Sequence, residues 1–141
     1  MTPEEIFQSY LWAGALRRNA DALASLFADD GVLESPLIPP GHQYPRRLEG
    51  REQIRAGMAA FYRRTAGTGQ TAATGQAVDT AKSAYKLHKT ADPCVFFAEL
   101  DTVLSSPAGT ETETVSLVWI FRVRDGKIVL LRDYFAPGIV D

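Results

Sequence analysis

One carboxylic acid lies within an apolar alternation near the end of the chain, in the segment GKIVLLRDYFAP at residues 126–137. Alternate residues of a strand face the same side, so Val129, Leu131, Asp133 and Phe135 share one face. An aspartate among apolar side chains loses the hydration of its charged form, and its pKa rises above the ordinary value of about 3.9. Such a group can give or take a proton near neutral pH. We therefore predict that Asp133 is a general acid–base group for an apolar substrate.

Two more acids lie in an earlier alternating segment, CVFFAELDTVLS at residues 94–105, where Glu99 and Asp101 share a face with Phe97. If that face points inwards, three carboxyl groups crowd one small site, and like charges raise the pKa of Asp133 further. The candidate catalytic residues are therefore Asp133, Asp101 and Glu99. A shifted register would instead place Glu99 and Asp101 on a solvated face.

Asp133 also has a purely structural interpretation, because an aspartate near a chain end can simply form an ion pair with an arginine. Structural ion pairs perturb the pKa of a carboxyl group much as a catalytic environment does, so the sequence leaves both interpretations open. Four arginines are candidates for such a pair: Arg17, Arg18, Arg122 and Arg132.

The candidate substrate-binding residues are large side chains that we expect in the core or around a pocket, with a ligand-stacking role for one or two of the aromatic rings. They are Trp119, Tyr62, Tyr10, Trp12, Phe97 and Leu131. His42 is a further candidate, because it lies in a proline-rich loop where an imidazole could carry a proton. A single histidine in a loop is, however, more often exposed to solvent.

Composition and spacing argue against several classes of protein. The net charge of −2, with both signs scattered, lacks the clustered basic excess of a nucleic-acid-binding surface. No apolar run approaches the length of a membrane span, and no histidines, cysteines and acids have metal-ligand spacing. The chain has one cysteine, Cys94, and its N-terminus does not resemble a signal peptide. We expect a cytoplasmic protein that uses neither metal nor cofactor and binds neither nucleic acid nor membrane.

Three segments of the first half of the chain have the signals of helices. Thr2 and Glu5 can form a capping box with Pro3 at the first helical position, and Asn19 can cap the second helix. Apolar residues then recur at helical spacing. The three segments are TPEEIFQSYLWAGALRRN (residues 2–19), NADALASLFADDG (residues 19–31) and EGREQIRAGMAAFYRR (residues 49–64).

The second half of the chain changes to the two-residue period of strands. A short strand, VLES, is expected at residues 32–35, and a three- or four-strand antiparallel meander at the end, with a tight turn at Asp125 and Gly126. Helices followed by strands predict one α+β domain over residues 1–141, with the helices on one face of a curved sheet. The other face is rather apolar for a solvated surface, so we expect a homodimer through the sheet. The later strand segments are SAYKLHK, CVFFAELDTVLS, TETVSLVWIFRVR and KIVLLRDYF.

Nearly the whole chain resembles the SnoaL-like branch of the nuclear transport factor 2 superfamily. The resemblance is carried by three segments: SYLWAGALRRNADALASLFADDGVLESP, LEGREQIRAGMAAFY and FRVRDGKIVLLRDYFAP. It implies a cone-shaped fold, in which a curved antiparallel sheet is wrapped by three N-terminal helices, with a deep pocket at the open end and usually a dimer. Members of the superfamily include ketosteroid isomerase, scytalone dehydratase, limonene epoxide hydrolase, polyketide cyclases and phenazine-biosynthesis proteins.

The resemblance also implies roles for individual residues. Asp133 stands where limonene epoxide hydrolase and the polyketide cyclases keep a catalytic aspartate. The epoxide hydrolase completes its site with an arginine and an aspartate, two residues apart, on an earlier strand. Glu99 and Asp101 stand there in this chain, so the aspartate is kept and the arginine is replaced by an acid. The segment TADPCVFFAELD is similar to the corresponding strand of the phenazine proteins.

The match to the ketosteroid isomerase site is poorer. The general base of that enzyme falls near Ser35, and its oxyanion-binding acid falls near Trp119, and neither residue can do that work. Tyr10 lies one residue from the position of the isomerase's first-helix tyrosine.

These observations predict a small acid–base enzyme with Asp133 as its proton carrier. It would act on a bulky apolar metabolite by isomerisation, cyclisation, dehydration or hydration, within natural-product metabolism. Two alternatives remain open at the level of the sequence. One is a non-catalytic small-molecule binding or carrier protein with the same pocket, and the other is a dimerisation scaffold.

Overall fold

The helices of the computed structural model, which describes residues 1–65, 77–106 and 110–140, are α1 (Pro3–Leu11), α2 (Ala20–Ser25) and α3 (Arg51–Arg64). The predicted capping box is present, since the Glu5 N–H donates to Thr2 Oγ1 and the Thr2 N–H donates to Glu5 Oε1. The Asn19 side chain caps α2 by accepting from the Ala22 N–H at 3.0 Å. The glycine-rich stretch at residues 66–76 lies outside the described residues.

The first helix is shorter than predicted, because its last turn widens into a π-helix at Trp12–Leu16. The Arg17 N–H donates to the Trp12 carbonyl at 2.9 Å, five residues back instead of four. π turns cluster at functional sites in proteins, because they re-aim the side chains that follow. Arg18 lies two residues after this wide turn, and its φ of 51° is in the left-handed region.

The described residues form seven strands: β1 (Phe27–Glu34), β2 (Arg47–Glu49), β3 (Ala77–Val78), β4 (Ala84–Lys89), β5 (Val95–Ser105), β6 (Thr112–Arg124) and β7 (Lys127–Tyr134). They make one open sheet in the order β2-β1-β7-β6-β5-β3, with β4 also paired to β5. The pairs are antiparallel except for β1 with β7, which run parallel because the α3 region and the meander intervene between them. The predicted antiparallel meander is present in β4, β5, β6 and β7, and the pairing of β1 with β7 adds one parallel pair to the curved sheet.

The strand after α2 begins at Phe27, five residues earlier than predicted, and Gly31 lies inside it. The register between β1 and β7 shifts in this part of β1. A Cβ atom at Gly31 would lie 2.7 Å from the Ile128 carbonyl oxygen, so this close approach of two strands requires glycine. The predicted turn between β6 and β7 is present, with positive φ at both Asp125 and Gly126.

The inner face of the sheet packs against the helices. The register places Ala98 opposite Trp119, and Trp119 opposite Asp133, so these three residues line one row across β5, β6 and β7. The core contains side chains from all three helices and four strands, among them Phe7, Tyr10, Ile54, Phe61, Phe121 and Leu131.

The predicted face of β7 needs one correction. The pairing of β6 with β7 shifts between Arg122 and Val123, which inserts an extra residue into β7 at Val129. As a result Ile128, and not Val129, is fully buried in the core. Leu131, Asp133 and Phe135 remain buried on the inner side, as the alternation predicted. None of the described helices is long and apolar enough to span a membrane.

Candidate functional site

A cavity of about 170 Å³ lies between the π turn, α3 and the inner face of the sheet. Its walls are mainly aromatic, and Asp133 and Arg18 bring its charged groups. Benzene occupies an engineered apolar cavity of about 150 Å³, so this space suits one six-membered ring. The aromatic walls are formed by Tyr10, Tyr44, Phe61, Tyr62, Trp119 and Phe135.

Asp133 lines this cavity and is buried, with 9% of its surface exposed. Trp119 lies directly opposite on β6, and its indole N–H donates to Asp133 Oδ1 at 3.0 Å. Burial raises the pKa of Asp133 to about 7, and the Trp119 hydrogen bond offsets part of that rise. A carboxyl group in this state exchanges a proton near neutral pH.

The ion-pair interpretation of Asp133 finds no support among the described residues. Arg132 pairs with Glu34 at 3.1 Å, and Arg17 lies over the Trp12 ring at 5.0 Å. Arg122 is on the opposite face of β6, paired in register with Val95 and Leu130. Arg18 shares the cavity with Asp133, but it donates to the Thr65 hydroxyl and lies over the Tyr62 ring.

Three tyrosines line the cavity together with Asp133, and their hydroxyls remain protonated. Burial, reinforced by the charge of Asp133, raises the pKa of Tyr10 and of Tyr44 well above 10. Burial raises the pKa of Tyr62 to about 12, although the Arg18 guanidinium opposes the rise. Each hydroxyl can therefore donate a hydrogen bond to a ligand oxygen at any physiological pH.

Glu99 and Asp101 are not in the cavity, and this part of the predicted site is wrong. Both side chains are exposed on the outer face of β5, and the half-buried Phe97 lies on the same face. Glu99 Oε2 lies 2.6 Å from His88 Nε2, and the Ser116 hydroxyl donates to Asp101 Oδ1 at 2.7 Å. The Phe97 ring is stacked on the His88 ring at 4.7 Å, so it cannot contact a ligand in the cavity.

Glu99 and Asp101 lie outside the cavity because the opposite face of β5 packs into the core. The core takes the even-numbered residues Phe96, Ala98, Leu100 and Leu104, whose set contains no charged side chain. That absence of charge is a signal in the sequence that favours the even set. A one-residue change of face moves every side chain of a strand to the other side of the sheet.

Three other candidates also lie outside the cavity wall. Trp12 is 48% exposed, because it lies two residues from Tyr10 and therefore points away from the face that Tyr10 buries. Leu131 is fully buried in the core behind the cavity. His42 Nδ1 accepts from the Tyr44 N–H at 3.0 Å, and it helps to shape the loop that carries Tyr44.

Tyr44 is the main site residue that the sequence reasoning missed. It lies in the proline-rich loop of residues 36–46, where no periodicity predicts which way a side chain points. Its ring packs edge-on against Phe61 at 4.8 Å and against Phe135 at 5.2 Å. The sequence indicates Arg18 only as an ion-pair partner for Asp133. Nothing in the sequence predicts its left-handed backbone or its position at the cavity. Within the described part of the chain, no three histidine, cysteine or acidic residues are grouped as metal ligands.

Residues 8–131 match the SnoaL-like domain family. The chain belongs to the SnoaL-like domain family. A PhzA/B-like protein of Pseudomonas aeruginosa is 33% identical over 126 residues, which cover 86% of this SnoaL-like chain and 77% of the relative. The resemblance inferred from the sequence is confirmed.

Solved structures confirm the fold of this SnoaL-like protein. A Mycobacterium tuberculosis protein in complex with estradiol-17beta-hemisuccinate has a TM-score of 0.63 at 21% identity, covering 99% of this chain and 98% of that one. An LEH-like epoxide hydrolase from M. tuberculosis has a TM-score of 0.54 at 23% identity, covering 96% and 84%. The cone-shaped α+β architecture of the nuclear transport factor 2 type is therefore shown, and the family supports a ligand-binding or catalytic role.

Proposed function

We propose that this protein is an acid–base enzyme in which Asp133 is the general acid and base. The observation that carries the proposal is a single carboxyl group with a pKa of about 7, buried in an aromatic cavity and paired with no described cation. Isomerisation, cyclisation, dehydration and hydration all require such a proton carrier. The apolar part of the substrate that reaches Asp133 is about one ring in size, because the cavity is about 170 Å³.

The two oxygens of Asp133 have different tasks in this mechanism. Oδ1 accepts from the Trp119 indole, which orients the carboxyl plane. No described residue donates to Oδ2, so this oxygen is the one that exchanges a proton with the substrate. With a pKa near 7, comparable amounts of acid and base are present at neutral pH. The same group can then remove a proton from one carbon or oxygen and return it to another.

The reaction also requires hydrogen-bond donors for negative charge that develops on the substrate, and tyrosine hydroxyls can provide them. When a proton leaves the carbon next to a carbonyl, negative charge develops on the carbonyl oxygen. Neutral donors that are held in place around that oxygen stabilise the charge without reorganising solvent. Tyr10, Tyr44 and Tyr62 line the cavity with Asp133 and keep their protons, so they are suited to this task.

Asp133→Asn tests the proposal, because asparagine keeps the size of the side chain and cannot carry the proton. We expect turnover to fall by about a thousandfold or more, within the range typical of general acid–base groups and their orientation. Wild-type and variant proteins are incubated with a small-molecule extract of the source cells and compared by mass spectrometry. No mass change in the consumed compound indicates isomerisation or cyclisation, and gain or loss of water indicates hydration or dehydration.

Asp101→Asn is the matched control, because it removes a carboxylate from the outer face of the same sheet. We expect it to retain the wild-type rate. Full turnover by Asp133→Asn would refute the catalytic role of Asp133.

A non-catalytic binding protein is the second candidate function. The cavity lacks the arginine that the epoxide hydrolases place beside their carboxylates, because that strand position is Glu99 and faces outwards. A neighbour of the same fold was crystallised with a steroid ester, which supports ligand binding as such. A compound retained unchanged by both the wild type and Asp133→Asn would favour this alternative.

A further inference from the structure

Ser35 and Asp133 are the two polar side chains that are buried in the described part of the molecule, and Ser35 is only 1% exposed. Ser35 follows β1, whose last residue, Glu34, pairs in parallel register with Arg132 of β7. The next residues along the two strands are therefore Ser35 and Asp133, side by side. Ser35 extends the inner row across β5, β6 and β7 to a fourth position.

The backbone of Ser35 anchors the loop of residues 36–46, which carries Tyr44. The Ser35 N–H donates to the Arg46 carbonyl at 2.8 Å, and the Ser35 carbonyl accepts from the Ile38 N–H at 3.1 Å. These bonds hold Tyr44, two residues before Arg46, close to Ser35. Both bonds use backbone atoms, so the loop itself does not require a hydroxyl group at position 35.

The Ser35 hydroxyl is a neighbour of the Tyr44 hydroxyl. Burial raises the pKa of Tyr44, and the hydroxyl of Ser35 lowers it in part. A donor favours the ionised form of a phenol, so Ser35 is the donor and the Tyr44 oxygen is the acceptor. No described group completes a hydrogen bond with Ser35 Oγ by both distance and angle. A buried hydroxyl that is only partly paired destabilises the folded state, so its presence calls for a functional reason.

We propose that Ser35 is a positioning residue whose hydroxyl donates to the Tyr44 oxygen while Tyr44 donates its own proton to an oxygen of the substrate. The inference rests on the proposed function, because it concerns how one tyrosine of the same site acts. Hydrogen bonds of an active site are often poorly aligned before the substrate binds and tighten in the complex. Ser35 is not one of the described residues that line the cavity, so it can act only through Tyr44.

This arrangement determines what the Tyr44 hydroxyl can do. A phenol has one proton to donate, and its oxygen can accept. With Ser35 as donor to that oxygen, the Tyr44 proton stays available to the cavity. Hydrogen bonds in a chain polarise one another, so Ser35 makes Tyr44 a stronger donor to negative charge that develops on the substrate.

Ser35→Ala removes the hydroxyl and leaves the backbone bonds of the loop in place. The five tyrosines of the chain are labelled with ¹³C at Cζ, and Tyr44→Phe identifies the Tyr44 signal. We expect Ser35→Ala to move the Tyr44 signal and to leave the Tyr10 signal in place. The midpoint of chemical denaturation should stay the same or rise, because a partly paired buried hydroxyl is lost. A purely structural role predicts a lower midpoint.

Ser25→Ala is the matched control. It removes another serine hydroxyl, which donates to the Ala22 carbonyl at 2.7 Å at the end of α2. We expect it to leave the Tyr44 signal and the turnover unchanged.

A double-mutant cycle tests whether Ser35 acts through Tyr44. On the compound that the wild type consumes, Ser35→Ala should lower kcat about fivefold to tenfold, the usual effect of one neutral hydrogen bond, and change KM little. In the Tyr44→Phe background, Ser35→Ala should have no further effect, because the oxygen that it serves is gone. If the compound is retained instead of consumed, its Kd replaces kcat in the same cycle.

Three results would overturn the inference: an unmoved Tyr44 signal in Ser35→Ala, wild-type kcat in that variant, or additive effects of Ser35→Ala and Tyr44→Phe. Additive effects together with an inactive Asp133→Asn would refute the role of Ser35 alone. A non-additive pair together with full turnover by Asp133→Asn would refute the catalytic role of Asp133 alone. The two failures are therefore distinguishable.

Discussion

At the scale of the residue, the chemistry depends on how far the environment of Asp133 shifts its proton affinity. Burial alone would hold the carboxyl group in its neutral form, and a neutral acid is a poor base. The Trp119 indole N–H at 3.0 Å favours the ionised form and brings the pKa back to about 7. An indole donor has no charge of its own, so it tunes the group without forming an ion pair.

The stability of the folded protein should depend on pH because of the raised pKa of Asp133. The folded state keeps the Asp133 proton up to about pH 7, whereas the unfolded chain releases it near about pH 4. The free energy of unfolding contributed by this group is therefore fully present below about pH 4 and is lost as the pH rises through about 7. A difference of about three in pKa corresponds to about 4 kcal/mol.

Chemical denaturation of wild type and Asp133→Asn between about pH 4 and about pH 8 measures this loss directly. Other groups contribute equally to both proteins, so the difference isolates Asp133. We expect Asp133→Asn to gain stability relative to the wild type as the pH rises. Two parallel profiles would show that the carboxyl group is ionised in the folded state throughout.

At the scale of the element, the π turn at Trp12–Leu16 sets the shape of one cavity wall. Tyr10 precedes the turn and Arg18 follows it, and both line the cavity together with Gly14. A regular α-helix through this segment would turn the later residues by a different angle, because each helical residue advances by about 100°.

Gly14→Ala tests whether this wall bounds the ligand. A Cβ atom at position 14 would lie 3.2 Å from Leu23 Cδ1 and 3.9 Å from the Tyr62 hydroxyl oxygen, so the added methyl group narrows the cavity. Alanine gains about 1 kcal/mol of helix propensity over glycine, which offsets crowding against the flexible end of Leu23. We expect the free energy of unfolding to change little and the turnover of the substrate to fall several-fold.

Gly138→Ala serves as the control, because a Cβ atom there has no other atom within 4 Å. The mass-spectrometric turnover assay compares the two variants with the wild type. Unchanged turnover in Gly14→Ala would place the substrate away from the π turn.

At the scale of the whole molecule, the two faces of the sheet differ. The inner face carries the candidate site, and the outer face has the features of an interface. The outer face combines half-buried apolar side chains with the His88–Glu99 contact. Apolar patches of this kind usually mark an interface. The residues on this face include Phe97, Val118, Ile120, Leu130 and Tyr134. Strict alternation along β7 predicts Ile128 on this face as well, but Ile128 is buried in the core.

We predict that a second copy of the chain covers this face. Ile120→Lys puts a charge in its centre and should convert the protein from a dimer to a species of the 15.4 kDa chain mass. Leu37→Lys is the control, because Leu37 is exposed elsewhere, on the loop after β1. Sedimentation equilibrium gives the masses. A wild type that sediments as a monomer would contradict the prediction.

Most of the fold was accessible from the sequence because local signals are strong there. The capping box at Thr2, the Asn19 cap and the Asp125–Gly126 turn depend on atoms a few residues apart, and all three are present. The parallel pairing of β1 with β7 was not accessible, because it joins strands far apart in the chain. The extra residue at Val129 was missed for the same reason, since a bulge is defined by a partner strand.

The sequence by itself determined the family, the order of helices and strands, and the presence of one acid in an apolar alternation at Asp133. Only the tertiary structure decided which side chains share the cavity with it. Glu99 and Asp101 are outside the cavity because they lie on the outer face of β5, and Tyr44 lines the cavity because of how its loop packs. The physical reason is that the sequence gives the type of each side chain but not its surroundings. The neighbours and the hydration of a side chain, and therefore its pKa, depend on segments that meet only in the folded chain.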